Sequence, residues 1–224
     1  MPNRASELAW DEPKTGTAAG LTRGQVVQTA LDLADAEGLE AVSIRRVAQE
    51  LDARPMSLYT HIASKDDLLA LMLNEFSGRL LVPEPLPDDW REALRRIAHR
   101  AYDSYVAHPW TIQAFGRGTR VGPNMLRRAE QSAAAVVSLE LEPSEAWTAL
   151  SIVHEWTMGH ALHVVTLRED AELEGRLRDA DPSDFPRMSR VFGEGRAQSR
   201  DAVFEVALEV VLDGIERRYA SGAR

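Results

Sequence analysis

The sequence predicts an all-α protein with two helical domains. Apolar residues recur every three or four positions along most of its 224 residues, and no segment shows the strict alternation of a half-buried strand. The segment VPEPLPDD at 82–89 holds three prolines, which cannot continue a helix. We therefore predict a smaller domain at 21–81 and a larger one at 88–220. Residues 1–20 lack a helical period and are expected to form a flexible arm.

The smaller domain contains helix start and stop signals in close succession. A T-x-x-Q capping box begins at Thr22, and Gly38 predicts the end of that first helix. Ser43 can cap a short second helix, and Pro55 suits the first turn of a third. Ser64 can cap a fourth helix. Short helices joined by tight turns indicate a compact bundle.

Residues 43–65, SIRRVAQELDARPMSLYTHIASK, have the layout of a helix-turn-helix. Asp52 stands where the turn needs a compact residue that tolerates a positive φ. Leu58 and Ile62, four residues apart, would anchor the helix after the turn on the core. Such a unit places its second helix in the major groove of DNA. The first three helices are therefore predicted to form a DNA-binding domain.

In the larger domain, helices are predicted at 90–106, after Gly122-Pro123, at 143–167 and at 199–219. The helix at 143–167 is apolar almost all round, which predicts burial on most of its sides. On the last helix, polar residues from Asp201 to Arg217 repeat every four positions and form one narrow strip. The wide apolar remainder predicts a subunit interface, although burial within one chain would also cover it. Residues 168–187, rich in Arg, Asp and Glu, are expected to form a solvated loop.

The composition excludes several classes of function. Without cysteine, the chain has no disulfide, thiolate metal site or cysteine nucleophile, which fits a reducing, cytoplasmic location. No apolar run predicts a signal peptide or a membrane span. The net charge of −9 opposes non-specific nucleic-acid binding, so DNA binding requires a local positive surface. Residues 41–65 supply one, with four basic against two acidic residues.

Two stretches, ALDLADAEGLEAVSIRRVAQEL and SLYTHIASKDDLLALM, carry a family resemblance. Over 21–80 they resemble the tetracycline-repressor (TetR) family of transcription regulators. The likeness is most specific in the L-Y-x-H-x-x-x-K core at Leu58, Tyr59, His61 and Lys65. In the larger domain it is weaker, and is carried by His108-Pro109-Trp110, Gly122-Pro123-Asn124 and FEVALEVVLDGI.

The resemblance implies a set of DNA contacts. Ser43, Tyr59 and Lys65 would bind phosphates, the last aided by the dipole of the fourth helix. Arg45 would reach a base edge such as that of guanine. Further contacts with bases or the groove wall are expected from Arg54, Pro55, Met56, Ser57, Thr60 and His61. The sequence departs from the usual family pattern at Asp52, where Gly is common, and at Arg54 and Met56. The last two leave the operator sequence open, but not the binding mode.

The resemblance also implies a small-molecule effector site in the larger domain. The residues expected to line it are Tyr105, Trp110, Phe115, Met125, Trp147, Trp156, His160 and His163. In the family's namesake a His and a Glu hold a drug–magnesium chelate, but Phe115 and His163 occupy those places here. The pair His154-Glu155 lacks the second histidine of an H-E-x-x-H motif. We therefore expect no metal and no cofactor, with a histidine metal site as the minor alternative.

The predicted function is that of a ligand-responsive repressor that binds palindromic operator DNA as a homodimer. Effector binding would alter the separation of two recognition helices, which must be about 34–36 Å, and so release the DNA. A ligand-independent regulator or an activator with the same DNA-binding domain stays open. An enzyme is disfavoured, because no nucleophile motif, Gly-rich phosphate loop or metal-spaced cluster is present.

Overall fold

A computed structural model describes residues 10, 20–118, 120–166, 175–176, 179–194 and 200–219. The described chain is helical and contains no strand, which confirms the predicted fold class. None of these helices is both long and apolar enough to cross a bilayer. The α-helices are α1 (Arg23–Glu37), α2 (Ile44–Glu50), α3 (Pro55–Leu58), α4 (Lys65–Arg79), α5 (Trp90–Ala107), α6 (Trp110–Gly116), α7 (Pro123–Ala135), α8 (Pro143–Thr166), α9 (Pro186–Glu194) and α10 (Arg200–Tyr219).

Local capping signals fix the helices of the smaller domain, as predicted. The Thr22 hydroxyl accepts a hydrogen bond from the Gln25 backbone at 3.2 Å, and the Gln25 side chain accepts one from the Thr22 backbone at 2.9 Å. Gly38 ends α1 with φ at 85°. Ser43 and Ser64 cap α2 and α4 through their hydroxyl oxygens. Each cap satisfies a backbone N–H that would otherwise lack a partner at the start of its helix.

The turn between α2 and α3 has the expected geometry. Asp52 adopts φ 47°, the left-handed region that a carboxylate side chain tolerates better than most residues do. Pro55 is the first residue of α3, where its missing N–H costs no helical hydrogen bond. Leu58 and Ile62 are buried, and they hold α3 on the core of the domain. The outward side of α3 is thereby left for contact with other molecules.

The two hydrophobic cores share their connecting helices. The larger core is built mainly from α5, α8 and α10, yet Phe76 and Leu80, at the end of α4, belong to it. Conversely, Trp110 and Ala114 of α6 pack into the core of the smaller domain. The two domains are consequently joined by packed side chains as well as by the linker at 80–89.

The polar strip of α10 faces α5. The Arg91 guanidinium pairs with Glu209 at 2.8 Å and with Asp213 at 2.7 Å, and Arg95 pairs with Glu209 at 2.5 Å. Hydrogen bonds, first from Arg95 and then from Arg91, hold the pKa of Glu209 below its usual range. The strip therefore binds two helices of one chain together.

The apolar faces of α8 and α10 are only partly covered within one chain. Phe204, Leu208, Leu212 and Ile215 are buried, whereas Val206 and Val210 are 57% and 66% exposed. On α8, Trp147 is 72% exposed, and Ile152 and Leu162 are also exposed. The expectation that α8 is buried on most sides is thus wrong for the single chain. Both helices leave apolar surface open.

Two segments differ from the sequence-based expectation, and a third lies mostly outside the described residues. Helix α6 was not predicted; it begins directly after Pro109, at a site interpreted as a helix break. Helix α9 begins at Pro186, near the end of the predicted loop at 168–187. The many charged residues of this segment obscured the helical spacing of its apolar residues. Of the predicted arm at 1–20, all but Trp10 and Gly20 lies outside the described residues. Trp10 packs against the smaller core.

Gly122, the cap of α7, lies where three parts of the chain meet. A Cβ atom at this position would lie 2.4 Å from Asn74 Oδ1 and 2.6 Å from the Trp10 ring. The Asn74 oxygen cannot easily retreat, because it accepts a hydrogen bond from the Asn124 backbone at 2.9 Å. The close approach of α4 and α7 therefore requires glycine here.

We predict that Gly122→Ala lowers the free energy of unfolding by about 1–3 kcal/mol, the usual cost of overpacking a tight contact. Chemical denaturation of the purified protein would measure the change. Gly116→Ala is the matched control, since a Cβ at Gly116 meets no atom within 4 Å. Equal stability of the two variants would contradict the prediction.

Candidate DNA-binding surface and effector site

Two adjacent arginines on α2 have different environments. Arg46 pairs with Glu37 at 2.9 Å and with Glu50 at 2.5 Å, and these contacts, led by the hydrogen bond to Glu37, raise its pKa. Arg45 is exposed and makes no ion pair within the described part of the chain. Only Arg45 therefore offers a guanidinium whose donors are all available to a ligand. The sequence assigned Arg45 to DNA and left Arg46 unassigned.

The exposed side of α3 carries the predicted contact residues. Met56 is 74% and Tyr59 is 48% exposed, although both are large and apolar or amphipathic. Ser57 and Thr60 donate hydrogen bonds to backbone oxygens of the same turn, at 2.6 Å and 2.7 Å. Their hydroxyl groups are thus held in place but keep acceptor capacity. Arg54 and Pro55 are exposed at the start of the helix.

Lys65 and His61 flank this surface. Lys65 is the exposed first residue of α4, where backbone N–H groups favour an anion such as a phosphate. Ser43 lies at the corresponding end of α2 and is half-buried. His61 is also half-buried, and its Nδ1 atom is buried without a hydrogen-bond partner in the described chain. The structure thus places the predicted residues along the outer side of α2, α3 and the start of α4.

Trp110, predicted to line the effector site, lies at the junction of the two domains. It is 3% exposed and packs in the smaller core. Its indole N–H donates to Asp35 Oδ1 at 2.6 Å, and His108 Nδ1 lies 2.6 Å from the same oxygen. Because Asp35 lies far from Trp110 in the sequence, no local sequence pattern indicated this contact. Trp110 thus ties α6 to α1, and it is linked to Tyr105 of the larger domain through Phe76, whose ring centre lies 6.0 Å from each of their rings.

An aromatic cluster lies between α5, α8 and α10. The rings of Tyr102 and Phe204 stack at 4.0 Å, and Trp156 stacks on His160 at 5.4 Å and on Phe204 at 5.2 Å. The His160 Nε2 atom is buried without a hydrogen-bond partner in the described chain. Burial, and then the charge of His163, lowers the pKa of His160. Sequence reasoning named Trp156 and His160 but missed their ring partners on the other two helices.

A second, polar cluster lies between α5, α7 and α8. Arg128 donates to His154 Nδ1 at 2.7 Å, and its guanidinium lies 6.0 Å from the centre of the Tyr105 ring. The ring of Phe115 meets that of Tyr105 edge-on at 6.4 Å. Burial raises the pKa of Tyr105, and Arg128 opposes this only in part. Tyr105 and Phe115 were predicted to line the effector site, whereas Arg128 and His154 were not.

The other predicted residues are dispersed. Trp147 is exposed near the start of α8, His163 is exposed near its end, and Met125 is half-buried in the first turn of α7. No group of three or more potential metal ligands occurs among the described residues. A surface groove of about 760 Å³ runs between α7 and the linker after α4, and none of the predicted residues lines it. The two clusters are therefore the places where predicted residues meet.

A helix-turn-helix with an exposed basic face, joined to a helical domain with buried polar groups, defines the class of DNA-binding regulators. Comparisons with known proteins give the family. Residues 26–72 match the model of bacterial regulatory proteins of the tetR family, and residues 82–219 match the tetracyclin repressor-like C-terminal domain. The chain belongs to the tetracycline-repressor family, which confirms the resemblance seen in the sequence.

Individual relatives cover nearly the whole chain. It is 32% identical to the HTH-type transcriptional repressor DrrR1 of Streptomyces coeruleorubidus, over 95% of this chain and 85% of that repressor. Apo ActR from Streptomyces coelicolor has a TM-score of 0.80 at 29% identity, covering 92% of this chain and all of that one. ActR in complex with actinorhodin has a TM-score of 0.79 with the same coverage and identity.

The environment of His154 predicts a stability change at acid pH. Burial, and then the charge of Arg128, lowers the pKa of His154 to about 4, whereas an unfolded histidine titrates near 6.5. The unfolded chain therefore binds more protons between these values, and stability falls as the pH is lowered from about 6.5 to about 4. We expect His154 to contribute about 2 kcal/mol of this loss between pH 7 and pH 4.5.

Urea denaturation at both pH values, in the natural chain and in His154→Gln, would measure this contribution. The variant cannot acquire a charge beside Arg128, so its stability should fall by about 2 kcal/mol less over the same interval. If both proteins lose the same amount, His154 is not held neutral by its surroundings.

Proposed function

We propose that this chain represses transcription by binding a palindromic operator as a homodimer, and that a small-molecule effector releases it. One observation carries the DNA-binding part. Arg45, Arg54 and Lys65 are exposed and make no ion pair within the described residues, while Arg46 beside them is neutralised. A chain of net charge −9 thus keeps a local group of available cations around its helix-turn-helix. Such a regulator acts in the cytoplasm, where its operator is.

Different residues of this surface are suited to contacts with bases and to contacts with phosphates. Arg45, on the exposed side of α2, is suited to a guanine edge, which accepts two hydrogen bonds in the major groove. Met56 supports this assignment of the surface to a groove, since a side chain 74% exposed gains from contact with a thymine methyl group. Ser43, Tyr59 and Lys65 would hold phosphates and fix the register. Ser57, Thr60 and His61 complete the proposed interface.

The open faces of α8 and α10 support the homodimer. Val206 and Val210 on α10 and Ile152 and Leu162 on α8 expose apolar surface on long neighbouring helices. A continuous apolar surface of this kind usually marks a site of contact with another chain, because exposing it to water is unfavourable. A two-fold pairing of two copies would cover it and would present two α3 helices to successive major grooves.

The junction supports release by an effector. Helix α6 joins the smaller core through Trp110 and Asp35, and its Phe115 touches Tyr105 of the larger domain. A ligand that displaces Phe115 would therefore bias the position of the DNA-binding domain. The complex of ActR with actinorhodin supports an effector in this chain as well. We propose no catalytic role for any residue.

We predict that an Arg45→Ala, Tyr59→Ala double variant loses operator binding. Purified natural chain should enrich one palindromic sequence from random DNA, and the double variant should bind that sequence on the order of 100-fold more weakly, since a base contact and a phosphate contact are both removed. Arg46→Ala is the matched control, because its charge is already engaged by Glu37 and Glu50. Fluorescence anisotropy with the enriched operator would measure all three affinities.

A result in which the Arg46 variant loses as much affinity as the double variant would contradict the assignment of the surface. Failure of the natural chain to enrich any sequence at low salt would overturn the proposed function. Either result is independent of the identity of the effector.

We also predict that Val206→Glu with Val210→Glu yields a monomer. Two carboxylates on the open face of α10 would be buried without partners in a homodimer. Sedimentation of the natural chain should give twice the mass of the variant, and operator affinity should fall with it. Val137→Glu, at a residue 75% exposed after α7, is the control that should remain dimeric.

A further inference from the structure

We propose that the effector is an aromatic acid, and that its anionic oxygen group binds between the Arg128 guanidinium and the Tyr105 hydroxyl. The inference rests on the proposed effector-controlled function, and it names the chemistry of the ligand that this site selects. Three features of the polar cluster between α5, α7 and α8 carry it: a cation without a counter-charge, a buried donor without an acceptor, and a partly buried aromatic ring against that donor.

Arg128 is half-buried and lacks an acidic partner among the described residues. Its guanidinium donates a hydrogen bond to His154 at 2.7 Å. Two arginines of α5 are instead neutralised by carboxylates: Arg91 pairs with Glu209, Asp213 and Glu216, and Arg95 pairs with Glu92 and Glu209. A guanidinium partly removed from water without a counter-charge is unfavourable, and a bound anion would offset this cost.

His154 cannot supply the missing charge. An imidazole is neutral or positive, and the low pKa of His154 keeps it neutral above about pH 4. It accepts one hydrogen bond, whereas a guanidinium carries five N–H donors in a planar fork. The remaining donors match the two oxygens of a carboxylate, which is the preferred partner of arginine.

Tyr105 supplies a second donor at the same place. Its side chain is fully buried, and its hydroxyl proton has no acceptor in the described chain, although the hydroxyl oxygen lies close enough to Arg128 to interact with the guanidinium. Burial raises its pKa, so the phenol keeps its proton and can donate it to an anion. A buried hydroxyl proton without an acceptor is costly, and an oxygen shared with Arg128 would satisfy it.

The surroundings favour an aromatic body for this acid. Phe115 and Met158 are only partly buried; Phe115 meets the Tyr105 ring, and Met158 lies one helical turn after His154 on α8. Phe115 meets Tyr105 edge-on, and an aromatic ring of a ligand could add further contacts of this kind. A ligand with one anionic end and an apolar ring system fits such a lining better than a sugar or a peptide does.

The test uses the full chain and two probes, naphthalene-2-acetate and anthraquinone-2-carboxylate, each compared with its uncharged primary amide. Isothermal titration calorimetry should show that the natural chain prefers at least one acid over its amide by on the order of 10- to 100-fold, the usual effect of a hydrogen bond to a charged group. Arg128→Met should abolish this preference, Tyr105→Phe should reduce it, and Arg128→Lys should restore part of it.

Arg127→Met is the matched control, since Arg127 is exposed on the same helix and donates to Asn124 at 2.8 Å. It removes the same charge from the neighbouring position and should keep the preference for the acid. If Arg128→Met fails to fold, as judged by circular dichroism, Arg128→Lys and Tyr105→Phe decide the question.

The inference is overturned if the natural chain binds none of the acids, if it binds acids and amides equally, or if Arg127→Met loses the preference as fully as Arg128→Met. Operator binding, measured in parallel, separates this outcome from failure of the proposed function. If the chain binds its operator but binds acids and amides equally, the proposed function stands and the proposal of an acidic effector is wrong. A chain that enriches no operator refutes the function itself.

Discussion

The carboxylate of Asp35 is the contact on which the arrangement of the two domains depends. It lies on α1 of the smaller domain and accepts hydrogen bonds from Trp110 and His108, each at 2.6 Å. Hydrogen bonds to an ionised acceptor are stronger than neutral ones, and these are partly shielded from water. Because Trp110 is also an apolar member of the smaller core, polar and apolar contacts hold α6 in the same place.

A second connection runs through α7 and links the proposed effector chemistry to this junction. The start of α7 is fixed to α4 by the hydrogen bonds between Asn74 and Asn124, at 2.9 Å and 3.1 Å, and by the close approach at Gly122. Arg128 lies one turn further along the same helix. A helix moves as a stiff body, so in the proposed mechanism a ligand that displaces Arg128 would also act on α4, whose first residue, Lys65, belongs to the proposed DNA-binding surface.

Sequence patterns predicted the features that depend on neighbours along the chain. The caps at Thr22, Ser43 and Ser64 and the turn at Asp52 are local, so their residue types report their structure. The different environments of Arg45 and Arg46 were beyond such reasoning, because Glu37 reaches Arg46 across a turn. Arg128 and His154 were missed for the same reason, as helices distant in sequence bring them together. The resemblance assigned Trp110 to the effector site, and its actual partner, Asp35 on α1, lies too far away in the sequence to have indicated otherwise.

The location of the acidic residues changes how the net charge of −9 should be interpreted. On the last helix, Glu209, Asp213 and Glu216 are paired with Arg91, and Glu209 also with Arg95. Paired charges produce a weaker field at a distance than their count implies. The net charge of −9 already counts these arginines, so the pairing leaves the negative excess unchanged, but it keeps these carboxylates from acting as isolated charges. What governs attraction to the phosphate backbone is the small set of cations that no acidic side chain of the described chain engages.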